Sequence, residues 1–147
     1  MAMPWEASVQ TRRWAPLHVQ LELTAVPAEC PAPSDEITIV GRVVQIFRGH
    51  ELVKPGDLLR FPLWVCKRGD EPTGPAYAYH DSLLVSTHIE AYFFGEPPEC
   101  CIGAYEFLLL NAASSEPHLS MDDLVRDASP RRPDSRKWWQ VWTRWRH

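Results

Sequence analysis

ITIVGRVVQIFRGHELVKPGDLLRFPLWVC, residues 37–66, decides the fold. Its first third alternates at strand period, with Ile37, Ile39 and Val43 on one face. Beyond Gly41 the opposite face turns apolar, with Val44 and Ile46. A glycine where the hydrophobic face switches predicts a bulge or sharp bend, which lets one strand serve two sides of a curled sheet. Lys54-Pro55-Gly56-Asp57 is a turn: proline presets φ at the second position and glycine supplies the positive φ a type II turn needs at the third. The next strand, 58–66, points Leu59, Phe61, Leu63 and Val65 inward. Pro62 has no N–H to donate, which puts this strand at an edge or bulges it there.

Working outward, residues 17–26 alternate cleanly, with Leu17, Val19, Leu21 and Leu23 on one face and His18, Gln20, Glu22 and Thr24 on the other. They predict a half-buried strand. Residues 83–94 predict a fourth strand, Leu83, Val85, Ile89, Ala91 and Phe93 facing the core and Ser86, His88, Glu90 and Tyr92 facing solvent. Residues 104–111 are the fifth, and their continuous apolar run predicts burial on both faces. Residues 1–16 show no period, and the proline-rich stretches 27–35 and 67–81 are loops.

After the strands, Ser120 with Asp123 makes a capping-box-like start for a short helix over 121–127. Residues 129–135 are a linker, and 136–147 resume a helical period rich in tryptophan. The expected organisation is a β-domain over 1–128, the linker, and a basic C-terminal segment over 136–147. The fold class is mainly β, a small five-stranded antiparallel barrel or sandwich with a short helix and a Trp-rich helical tail. GRVVQIFRG (41–49) followed by VKPGDLLRF (53–61) is loosely similar to an OB-type barrel, without a diagnostic motif of that superfamily.

A chain of 147 residues suffices for one domain with its own core. The apolar runs are far shorter than a membrane-spanning helix requires. Arg12-Arg13 resembles the start of a twin-arginine export signal, but the alternating stretch that follows is a strand rather than an apolar signal core, so a cytoplasmic location is expected. There the four cysteines are thiols, Cys66 in the core and one of Cys100 and Cys101 exposed. The net charge of −4 is unevenly spread. From Arg126 onward seven Arg or Lys stand against two Asp, a balance of +5, whereas residues 1–125 carry −9.

The sequence presents no catalytic constellation. His88-Ile89-Glu90 followed by Pro97-Pro98-Glu99-Cys100-Cys101 resembles the H-x-E…P-C-x-x-C pattern of zinc deaminases, but adjacent cysteines do not close a tetrahedral shell as two cysteines three apart do. A zinc site from Cys66, His80, His88 and Cys100 has no short ligand pair to support it, so no metal and no cofactor are expected. There is no G-x-S-x-G, P-loop or G-x-G-x-x-G.

RKWWQVWTRWRH (136–147) is the most unusual segment. It sets Trp138, Trp139, Trp142 and Trp145 among five basic groups, Arg144 included. Docking on the chain's own acidic domain, on a protein partner or second copy, on a membrane surface or on nucleic acid all fit that chemistry. The leading expectation is a non-catalytic binding or adaptor protein with a protein partner, the candidate contacts being Trp138, Trp139, Trp142, Arg144 and Trp145. The alternatives are an OB-like single-strand nucleic-acid binder, and a small metalloprotein or enzyme using His88, Glu90 and Cys100.

Overall fold

In the computed structural model, residues 5–30, 34–72 and 77–120 are described. The described elements are α1 (Trp5–Trp14), β1 (Leu17–Ala25), β2 (Ser34–Arg48), β3 (Leu58–Cys66), β4 (Ala78–Tyr79), α2 (His80–Val85), β5 (His88–Glu96) and β6 (Glu99–Leu110). They form one sheet in the order β2-β1-β5-β6-β3-β4, with β2 also pairing β3. The sheet is mixed rather than wholly antiparallel and has six strands rather than five. β3 runs parallel to β4, and it meets β6 in parallel at Arg60 and Glu99.

β2 is shared between two partners. Its N-terminal half pairs β3 from Ser34 to Arg42, and its C-terminal half pairs β1 from Val40 to Arg48. The two ladders overlap around Gly41, where the β1–β2 register also shifts. A Cβ on Gly41 would lie 2.7 Å from Leu21 Cβ, so the strands approach more closely than any side chain permits. The turn after β2 forms as its residues dictate. Gly56 has φ +98°, Asp57 N–H donates to Lys54 O at 3.1 Å, and Lys54 N–H donates to Asp57 Oδ2 at 2.9 Å.

The inward faces make one core. Leu17, Val19 and Leu21 of β1, Ile39 and Val43 of β2, Leu59 to Val65 at alternate positions of β3, and Ile89, Ala91 and Phe93 of β5 are all buried. Phe61 and Phe93 meet edge to face at 5.0 Å. Burying each such side chain stabilises the fold by about 1.5–3 kcal/mol before chain entropy is counted.

Several expectations are corrected. Residues read as irregular before β1 form α1, whose buried side includes Gln10, Thr11 and Arg12 and so shows no apolar stripe. The expected strand over 83–94 is two elements: α2 buries Leu83 and exposes Val85, and only from His88 does a strand run. β6 begins at Glu99, before the expected 104, and Leu108 on it is exposed, so it is not buried on both faces. The outward faces of β1 and β5 are buried as well: His18, Gln20, Glu90 and Tyr92 lie under residues 111–120, which fold back over them. The expected helix over 121–127, the linker 129–135 and the segment 136–147, with Trp138, Trp139, Trp142, Arg144 and Trp145, lie outside the described residues.

Candidate functional site

The buried polar cluster of the molecule grows from two facing strands. β1 and β5 are antiparallel, with His18 opposite Tyr92 and Gln20 opposite Glu90. Strand alternation therefore puts all four side chains on one face, away from the core. Residues 111–120 then cross that face as a strap.

Glu90 is the centre. Its carboxylate accepts from His18 Nε2 at 2.9 Å and from Gln20 Nε2 at 2.9 Å. It also accepts from the backbone N–H of His118 at 2.9 and 3.1 Å and of Leu119 at 2.7 Å. Burial pushes its pKa up, but the hydrogen bonds from His18, Gln20 and the two strap amides outweigh burial and hold it at about 2. An ionised carboxylate only accepts, so the proton of the shared bond sits on His18 Nε2.

The neighbours extend the clamp. Gln20 Oε1 accepts from Ser114 N–H at 2.8 Å, and Gln20 Nε2 donates to Ser114 Oγ at 2.9 Å. Tyr92 OH donates to Leu119 O at 2.6 Å, and its ring stacks on His18 at 3.9 Å. Burial raises the Tyr92 phenol to about 12, so it stays a donor. Arg12 of α1 closes the far end: it pairs with Glu106 at 2.8 Å and donates from Nη1 to Ser120 O at 2.8 Å. N-terminal helix and C-terminal strap are thereby tied to each other and to the sheet.

The acceptors of this cluster are already engaged. Both Glu90 oxygens are filled by donors, and the residue is fully buried, so the carboxylate offers no open acceptor to a substrate. The residues weighed for metal chemistry are scattered. His88 Nδ1 lies 2.7 Å from Thr87 Oγ1, and His80 Nε2 donates to Pro27 O at 2.8 Å. Cys66 and Cys100 are buried in the core, where burial raises the Cys100 thiol to about 12. Among the described residues no three His, Cys, Asp or Glu side chains gather as a metal would need.

A second surface stands open. Along the outward face of β2 and β3, Glu36 faces Trp64, Thr38 faces Pro62, Val40 faces Arg60 and Arg42 faces Leu58. Leu58 is 49% exposed, and Thr38, Arg42, Arg60 and Pro62 are exposed too. The arginines do not stand alone: Arg42 lies 3.4 Å from Glu22 and Arg60 lies 3.6 Å from Glu99. No helix of the described residues is long and apolar enough to cross a membrane. The chain matches no protein-family model, no curated protein and no solved structure.

Proposed function

We propose that the chain is a non-catalytic binding module of OB type that engages a protein partner through the outward face of β2 and β3. The make-up of that face carries the reading. Val40, Leu58 and Pro62 supply apolar contact, Thr38 supplies hydrogen bonding, and each arginine has a carboxylate beside it. Such a neutral, mixed surface suits a protein interface, where apolar anchors sit within a polar rim. A single-strand nucleic-acid groove instead needs uncompensated cations along the backbone's path, and residues 1–125 carry −9.

The strand pairings support the OB-type reading. They run in a ring, β1 to β2 to β3 to β6 to β5 and back to β1, with α2 between β3 and β5 in the chain. That ring fits a small, partly open Greek-key barrel whose second and third strands form the binding face. The saturated Glu90 cluster favours binding over catalysis, since its groups are spent on the strap.

The test is site-specific photo-crosslinking from Thr38 in the full chain, with Glu51 as the control position. A recurring protein adduct from Thr38, absent from Glu51 and lost on Leu58→Glu at unchanged melting temperature, is the expected result. Adducts equal at both positions, or salt-sensitive binding of single-stranded oligonucleotides to the same face, would overturn it.

A further inference from the structure

Cys30 lies in the loop between β1 and β2, and the chain on both sides of it is fastened beside Cys66. Three residues earlier, the Pro27 carbonyl accepts a hydrogen bond from His80 Nε2 at 2.8 Å. His80 directly follows Tyr79, the partner of Cys66 in the β3–β4 pairing. Four residues later, Ser34 is the partner of Cys66 in the β2–β3 pairing. The loop is thus pinned at one end to the first residue of α2, next to the β4 partner of Cys66, and at the other to Cys66 itself through β2. We propose that Cys30 and Cys66 are a redox pair, closed to a disulfide by a low-molecular-weight disulfide such as oxidised glutathione.

The environments of the two sulfurs set the order of events. Cys66 is fully buried, and Cys30 is half-buried. Burial holds the Cys66 thiol above its ordinary value, and the negative charge of Glu71 raises it further. Cys30, half-buried, is the more accessible nucleophile of the two. In the first step the Cys30 thiolate attacks one sulfur of oxidised glutathione, forming a mixed disulfide and releasing glutathione as thiolate. In the second, the Cys66 sulfur attacks the Cys30 sulfur, and its proton passes to the departing glutathione sulfur. A second glutathione leaves as the Cys30–Cys66 bond forms. The protein loses two protons and two electrons, and oxidised glutathione is reduced to two glutathiones.

The closed pair would staple the β1–β2 loop over the end of β3 and constrain the unfolded chain. Cys66 ends the β2–β3 ladder that carries the binding face, but the redox pair is read by thiol and disulfide mapping rather than by partner adducts, so either can fail without the other. The test begins with the full chain, reduced and then equilibrated with oxidised glutathione. Remaining thiols are alkylated and the peptides are mapped without reduction. A peptide pair linking Cys30 to Cys66, with a higher melting temperature reversed by dithiothreitol, is expected. Cys30→Ser should abolish the linked pair, and Cys101→Ser should leave it in place. Cys30→Ser changes a half-buried loop position, so it reports even where Cys66→Ser fails to fold. Glutathione retained on Cys30 without closure, a link through Cys100 or Cys101 instead, or complete alkylation of both cysteines would overturn the proposal.

Discussion

At the scale of a single residue, Glu90 ties the titration of one group to the stability of the whole chain. Its ordinary value of 4.5 falls to about 2 in the fold. A depressed carboxylate contributes stability that is fully present above the unfolded value and lost as pH falls through the folded one. The urea midpoint should therefore drop as pH is lowered from about 4.5 to about 2. The amount at stake is on the order of 3 kcal/mol. Glu90→Gln should lower stability near neutral pH and flatten that acid limb, and an equally steep limb in the variant would refute the assignment. Gly41 makes a steric claim. Because a Cβ there would sit 2.7 Å from Leu21 Cβ, Gly41→Val should destabilise by about 1–3 kcal/mol in urea unfolding. An unchanged midpoint would mean that the strands can part at no cost.

Among the elements, the strap and α1 hold one another through Arg12. Its guanidinium and Glu106 are only 10% and 11% exposed, and the same side chain reaches Ser120 O. Removing one partner leaves the other buried and unpaired, which costs more than the pair itself contributes. Arg12→Met should destabilise by about 2–3 kcal/mol. In a double-mutant cycle, Arg12→Met and Glu106→Gln together should cost less than the two separately; strict additivity would show that the ion pair carries no coupling.

The same elements show what the chain discloses in advance. β3 is legible to the residue over Leu58–Cys66, because alternation and the Pro55-Gly56 turn agree. β1 is legible over nearly its whole length for the same reason. α1 is not, since the side it buries includes Gln10, Thr11 and Arg12, polar residues satisfied by tertiary partners rather than by an apolar stripe. α2 is six residues long, too short for a period to show. The Glu90 cluster is misread for a deeper reason. His18 and Gln20 on β1 and Glu90 on β5 read as solvent-facing, and only the strap, far along the chain, turns them inward. The polar character of 111–120 says nothing of where it goes.

For the whole molecule, the charge asymmetry and the strap bear together on residues 136–147. The strap is fixed to the sheet through Glu90 and Arg12, so the chain leaves Ser120 from a defined place. Docking of the tryptophan-rich segment on the same chain is then intramolecular, which raises its effective concentration without any new contact. The sequence spacing of Trp138, Trp142 and Trp145 would put them on one arc of a helix. Each indole can bury on the order of 200 Å², enough to offset the ordering of a segment too short to hold a helix alone. The +5 balance from Arg126 onward faces −9 in the rest of the chain, an attraction that salt weakens. Truncation after Pro133 should therefore lower the melting temperature and increase binding of an apolar dye, and the melting difference should shrink at high salt. If the truncated chain melts where the full one does, residues 136–147 are a free arm, and their tryptophans become contacts for an external partner.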